Sequence, residues 1–389
     1  MKVIQILHHS HPFYKQNEEV HFFAEDWHAK VATQILKRTD KYEIECWRPE
    51  RRAKKIITGE ENGIAYKIFP SFHLKTGEYS IPLLKELRKE SKKEDILIHL
   101  HGIHNHLAYL IAYLFRDLPI VGQHHGGSPC LYKFENSNHP LRFLHLLNHI
   151  PEKRALKNVD HFFVLTKYEK EALSKLVGAD KVEIQTMGVD FDLFKPMDKN
   201  YARELLGLPI DKKIILYVGR FNKAKRVDLI LDVLQKLKGK YDIELILIGG
   251  QKNDIFFDKA KSVGARVIER ISSDQLIPYY SASDVYYCFC NTNLWGGIGI
   301  APVESLAFGT PIVSNTLEHF PTDERKYLGE MPKDEGDVVN CIVKVLENEG
   351  KYDKCREVAI RHYEWKNIIE NTITIYDVLF DKYYRPQSL

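Results

Sequence analysis

Residues 214–228 read IILYVGRFNKAKRVD. Ile214–Val218 is apolar without polar alternation, the pattern of a strand buried on both faces. Gly219 breaks the run, and a helical period opens at Arg226 and continues to Lys238. A strand, a glycine turn and a helix make one step of a parallel α/β sheet. The same alternation extends in both directions. Strands are expected at Val3–Leu7, Ile64–Phe69, Ile96–His99, Ile120–Gln123, His161–Leu165, Glu244–Ile248, Arg266–Ile268, Val285–Phe289 and Ile312–Ser314. Helical periods fall at Ala24–Lys37, Pro82–Lys93, Lys167–Val177, Ser273–Ser281, Pro302–Ala307, Gly336–Asn348 and Glu364–Tyr384.

This many parallel strands is long for one open sheet. The 389 residues suit two or three domains at roughly 100–200 residues each. The stretch GVDFDLFKPMDKN at 188–200, rich in turn formers, marks the break. The expected fold is α/β: two Rossmann-like, doubly wound parallel-sheet domains facing a cleft. Residues 1–193 would form the first and 194–365 the second, with a terminal helix, 366–389, crossing back to the first.

Composition removes several classes of function. The net charge of +3 argues against wholesale nucleic-acid binding. The six cysteines include no C-x-x-C pair, so neither a disulfide scaffold nor a structural zinc site is expected. The leading MKVIQILHHSH has too short an apolar run for a signal peptide. Leu107–Phe115, the longest apolar stretch, is about half a membrane span. A cytoplasmic protein is expected, peripheral to the inner membrane face at most. The basic segments Arg48–Lys55 and Lys85–Lys93 read as solvated helix faces or as contacts to an anionic membrane.

Two units carry the chemistry. Arg220 follows a strand end, where open α/β sheets bind ligands, and Lys225 lies in the same turn. A guanidinium, an ammonium and a helix N-terminus together suit a diphosphate. The second unit is WGGIGIAPVESLAFGTP at 295–311. Its glycines bring backbone N–H groups close to a ligand, and Glu304 on the following helix can accept from ribose hydroxyls. Histidines cluster after three first-domain strands: His8, His9 and His11; His99, His101, His104 and His106; His124 and His125. His9, His101, His104 and His124 are candidates for an acceptor pocket, with structural histidines or a metal site as rivals. No H-E-x-x-H motif supports a metal, and none is expected here or at the diphosphate unit.

Together the units resemble retaining glycosyltransferases of family 4, the glycosyl transferases group 1, with the GT-B fold. YVGRFNKAKRVDLIL is similar to Y-V-G-R-…-K-G-V-D-x-L-L, with Arg226 in place of the second glycine. GIGIAPVESLAFGTPIVSN is similar to G-F-G-L-x-x-x-E-A-x-A-x-G-x-P-V. GVDFDLFKP resembles the family hinge, with Met187 at the usual Asn, and ELILIGG, YYSASDVYY and RHYEWKNIIE fit as well. The resemblance implies a nucleotide-sugar donor and no required cofactor. It implies that Gly219, Arg220 and Lys225 bind the donor diphosphate, that Glu304 binds the ribose, and that the amides of Gly297, Ile298, Gly299 and Ile300 line sugar and phosphate. His125, in PIVGQHHGG, would contact the donor sugar, making His125, Arg220 and Lys225 the catalytic set. The implied acceptor is a hydroxyl of a lipid-linked saccharide, a polyol or a sugar.

Three positions depart from the family pattern. Gly296 stands at the first Glu of the family's E-x7-E pair, Gln123 replaces a Thr, and HHSHPFYKQNEE replaces the Gly-Gly loop after the first strand. The first departure keeps other readings open: an epimerase or hydrolase on the same architecture, or a non-catalytic nucleotide-sugar-binding protein.

Overall fold

The computed structural model describes residues 1–10, 19–74, 77–125, 129–137, 139, 142–291 and 297–385. The chain divides into two compact units, 1–186 with 368–389, and 187–367.

In the first unit the strands run, in spatial order, Val182–Ile184, His161–Val164, Ile120–Gln123, Ile96–His101, Lys2–Leu7, Glu43–Glu50, Ile64–Pro70 and Ile57–Glu61. All neighbours are parallel except the last pair. The order reverses between Lys2–Leu7 and Ile96–His101. In the second unit the order is Arg266–Ile268, Ile243–Ile248, Lys213–Val218, Val285–Cys288, Ile312–Ser314 and Gly329–Glu330, all parallel. Numbered along the unit that is 3-2-1-4-5-6, the Rossmann order, reversing between Lys213–Val218 and Val285–Cys288.

Alternation along one strand shows why the second sheet is buried on both sides. Ile214 and Leu216 join one apolar cluster, Ile215 and Tyr217 the other. The helix Val227–Leu237 covers one face with Val227, Ile230, Leu231 and Leu234. The helices Ile300–Ala307 and Cys355–Tyr363 cover the opposite face.

In the first sheet Ile4 and Ile6 enter the apolar core, while Gln5 points to the other face. There the terminal helix Trp365–Tyr384 closes the layer. Its Tyr376, fully buried, accepts from Gln5 Nε2 at 3.0 Å. Its Tyr384 donates to the Ile96 carbonyl at 2.7 Å, and Lys382 pairs with Asp160 at 2.8 Å.

One expectation is corrected. The segment Arg48–Lys55 is not a helix face: Glu43–Glu50 is a buried strand, and Arg48 lies inside it, paired with Glu50 at 2.8 Å. The strand tolerates charge because each charge has a partner. Lys2, also buried, meets Glu45 at 2.8 Å and Glu90 at 3.2 Å. The Lys2 ammonium is thereby held well above its usual range, although burial opposes this. All six cysteines are free thiols. Among the described residues no helix is long and apolar enough to cross a membrane.

Candidate functional site

In the second unit both sequence motifs follow the two strands that flank the order reversal. Lys213–Val218 ends at Gly219, where φ is +155° and an added Cβ would meet Tyr217 Oη at 2.8 Å. Arg220 follows, exposed, with no salt bridge among the described residues; its carbonyl accepts from Tyr217 Oη at 2.8 Å. Asn222 then caps a short turn by accepting from the Lys225 N–H at 3.0 Å. Lys225 is partly buried, with Nζ 3.4 Å from Cys290 Sγ. The Cys288 thiol beside Cys290, then the Lys225 ammonium, outweigh burial and bring Cys290 down to about 6. Burial in turn depresses Lys225, but the two sulfurs more than offset it, so the ammonium stays charged at neutral pH.

Arg226, at the family's glycine position, has φ +46° and ψ +46°. A left-handed residue with a side chain costs about 1–2 kcal/mol. The strain is compensated by pairs: Arg226 Nη2 lies 2.9 Å from Asp228 Oδ2 and 2.8 Å from Glu335 Oε2. This arginine is committed to carboxylates, which leaves Arg220, Lys225 and the exposed Lys223 as the cations of this turn.

The loop after Val285–Cys288 is tied to the first by the Asn291 N–H, which donates to the Ala224 carbonyl at 3.0 Å. It leads to Gly299, φ +79°, which begins the helix Ile300–Ala307, two residues before the expected start at Pro302. Among the described residues the N–H groups of Gly297, Ile298 and Gly299 make no hydrogen bond. Glu304 is 9 % exposed, and its Oε2 accepts from Tyr280 Oη at 2.8 Å, which aims the carboxylate. Trp295 and Gly296 lie outside the described residues.

In the first unit the three histidine-bearing segments follow adjacent strands, and two networks form there. The first centres on His125. Its ring is near-parallel to Trp27, with centroids 5.4 Å apart, and nearly coplanar with His101, whose centroid lies 5.0 Å away. His125 Nε2 lies 2.8 Å from His101 Nδ1, and His101 Nε2 lies 2.5 Å from Gln5 Oε1. Tyr376 Oη, already accepting from Gln5, is 2.5 Å from His99 Nδ1. The polarity follows from Gln5: its oxygen accepts from His101 Nε2–H, so His101 Nδ1 is bare and accepts from His125 Nε2–H. Burial, reinforced by the neighbouring rings, holds His101 and His125 well below the usual histidine range. His125 is therefore a neutral imidazole with its lone pair on Nδ1.

The second network is buried and charged. His104 Nδ1 lies 3.4 Å from Glu152 Oε1, and His104 Nε2 lies 3.7 Å from Glu169 Oε1. His124 Nδ1 lies 2.5 Å from the same Glu169 oxygen. Glu152 accepts further from Tyr109 Oη at 2.6 Å and from His149 Nδ1 at 3.1 Å. Burial alone would raise Glu152, but His104 first and its other donors bring it down to about 2. Next to it is a cavity of about 420 Å³ lined by His104, His106, Tyr109, Cys130, Lys133 and His145 among others.

Of the four candidates for an acceptor pocket, His101 and His124 are fully buried, and His104 reaches the cavity wall. His9 is partly exposed, its ring 4.5 Å from that of His8. His11 lies outside the described residues. Sequence reading missed Gln5, Trp27, Glu152, Glu169, Cys290 and Tyr376. Only Glu169 had a local signal: Thr166-x-x-Glu169 is a helix-start pattern, and Thr166 Oγ1 does accept from the Glu169 N–H at 3.2 Å.

Two family patterns match the chain: Glycosyltransferase Family 4 over residues 15–193 and Glycosyl transferases group 1 over residues 198–362. Among curated proteins, D-inositol 3-phosphate glycosyltransferase of Mycolicibacterium smegmatis is 26% identical over 255 residues, 61% of this chain and 57% of the relative. The enzyme of that name from Mycobacterium tuberculosis F11 is 29% identical over 193 residues, 46% of this chain and 38% of the relative. The chain thus spans only about two fifths to three fifths of these relatives' lengths. Among solved structures, sucrose-phosphate synthase of Thermosynechococcus elongatus superposes with a TM-score of 0.74 at 18% identity, covering 98% of this chain and 99% of the other. Anabaena HepE in complex with UDP gives 0.69 at 15% identity, covering 97% and 100%. With both halves matched in sequence and the whole chain matched in fold, the protein belongs to glycosyltransferase family 4, built on two parallel-sheet units of the GT-B fold.

Proposed function

We propose that the protein transfers a sugar from a nucleoside-diphosphate sugar to a hydroxyl acceptor with retention of configuration. The observation that carries this reading is the grouping at the order reversal of the second sheet. An Arg220 with no salt bridge among the described residues, a charged Lys225, amides leading into a helix N-terminus and an aimed Glu304 stand at the ends of neighbouring strands. In this reading Arg220 and Lys225 grip the diphosphate and Glu304 accepts from the ribose. The bond from the anomeric carbon to the diphosphate oxygen breaks as the acceptor oxygen bonds on the same face. The acceptor's proton passes to the departing diphosphate, and the two cations stabilise the charge that develops there. His125, neutral and held by His101 and Trp27, would orient the donor sugar.

The acceptor would bind at the first unit; lipid-linked saccharides, polyols and sugars all offer the hydroxyl. A phosphorylated polyol accords with the names of the curated relatives. The exposed Arg51, Arg52, Lys54 and Lys55 would suit a peripheral contact with an anionic membrane.

The test is calorimetry with UDP, the nucleotide named in the complex of a structural relative, with and without Mg²⁺. Arg220→Ala and Lys225→Ala should each weaken binding about ten- to a hundredfold, the worth of a charge-assisted hydrogen bond. His125→Ala should keep binding and lose turnover. Wild-type affinity in both cation variants, for UDP and for other nucleoside diphosphates, would remove the assignment.

A further inference from the structure

We propose that His104, His124 and Glu169 form a binding site for a zinc-type divalent cation inside the first unit, separate from any nucleotide site. The three side chains come from segments following three neighbouring strands, Ile96–His101, Ile120–Gln123 and His161–Val164. One ligand atom from each lies within 4.8 Å of the others. His124 and Glu169 are 0 % exposed, and the His104 side chain is 2 % exposed. Among the described residues His104 Nε2, His124 Nδ1 and Glu169 Oε1 are buried atoms that make no hydrogen bond of regular geometry. Three buried donor atoms thus converge with their directional bonding unused.

The surroundings fit a metal centre. Two imidazoles and a carboxylate are the donors that zinc takes at about 2.0–2.2 Å, which sets tetrahedral donors roughly 3.3 Å apart. His104 Nε2 and Glu169 Oε1 already stand at 3.7 Å, and the His124 contact, 2.5 Å, would open by less than 1 Å on a small turn of the carboxylate. The other Glu169 oxygen is occupied, accepting from the Leu165 N–H at 3.0 Å, which leaves Oε1 for the ion. Glu152 accepts from His104 Nδ1, which would turn the Nε2 lone pair toward the site, the carboxylate–histidine–metal arrangement. A dication would also neutralise the buried charges of Glu152 and Glu169 together. The adjacent cavity, which shares His104 as wall, gives an ion a route in and a water for the fourth position. An ion here would clamp three strand ends and fix the segment bearing His125.

The full-length protein is stripped with a chelator, dialysed, and titrated with Zn²⁺ and, separately, with Co²⁺ as a spectroscopic probe. One equivalent should bind per chain, with the visible absorption of tetrahedral Co²⁺. Glu169→Gln and His124→Gln should each lose at least a hundredfold in affinity, and Glu152→Gln about ten- to a hundredfold. Folding is checked by circular dichroism, and a variant that does not fold is replaced by His104→Gln. No Zn²⁺ uptake by the wild-type chain overturns the site without reference to any variant. Uptake unchanged in every folded ligand variant does so too, since the ion would then sit on other histidines. Neither outcome bears on the nucleotide reading, which is tested by UDP binding.

Discussion

Lowering the pH from 7.5 to 5.0 should destabilise the first unit well beyond the second. Of the 18 histidines, 16 lie in residues 1–186 and only His319 and His362 in residues 187–367. His28 and His99 are fully buried, and burial lowers them to about 4 and about 3 respectively, from an ordinary 6.5. Between those folded values and 6.5 the unfolded chain takes up the proton and the folded chain does not. Stability contributed by these groups is complete above 6.5 and is lost as the pH falls. At about 1.4 kcal/mol per unit, each loses roughly 2 kcal/mol by pH 5.0, about 4 kcal/mol together. His101 and His125, also lowered, act in the same direction, while His104, raised by its two glutamates against burial, acts in the opposite one. For a unit of this size about 4 kcal/mol corresponds to roughly 8–16 °C in melting temperature. Paired carboxylates such as Glu90 and Glu152, both near 2, remain ionised throughout this window. Scanning calorimetry at both pH values, with one transition assigned to each unit by limited proteolysis, provides the assay. Equal shifts of the two transitions, or a first-unit shift under about 3 °C, would refute the reasoning, because about 1 kcal/mol is then all that the buried rings supply.

Two further outcomes follow from the second unit. At Arg226 both Ala and Gly remove the pairs to Asp228 and Glu335, but only Gly removes the left-handed strain. Arg226→Ala should be less stable than Arg226→Gly by about 1 kcal/mol in urea unfolding; equal stability would mean that the turn is unstrained. Among the cysteines, Cys290 sits near 6, while burial raises Cys130 to about 11 and Cys341 and Cys355 to about 12. Mass spectrometry after brief iodoacetamide treatment at pH 7 should find Cys290 modified first. Earlier labelling of Cys130, which is as buried as Cys290, would show that Cys290 does not carry the greater thiolate character.

The parallel sheets were legible in the sequence because their strands are apolar on both faces. Ile214–Val218 and Ile96–His99 could hardly be anything else. Glu43–Glu50 was not, since EIECWRPE carries Glu45, Arg48 and Glu50 into the interior, each beside a partner that no local pattern reveals. The helix Phe143–Leu156 was hidden by Pro151 and by apolar residues that stay exposed, such as Leu147 and Ile150. At the candidate site the local motifs held Arg220, Lys225 and Glu304. The second layer depended on distant chain: Glu169 stands 45 residues from His124, and Tyr376 stands 277 residues from His99.

That last separation bears on how the chain is made. Residues 187–367 form a continuous stretch and can close as soon as they are synthesised. The first unit cannot, because the buried amide of Gln5 and the ring of His99 share a partner, Tyr376, that emerges near the end. At roughly 5–20 residues per second, the wait from residue 186 to Tyr376 is on the order of 10–40 s. The half of the protein that leaves the ribosome first is the half that finishes last, with the stretch of its sheet around Gln5 and His99 waiting for its cover throughout that interval.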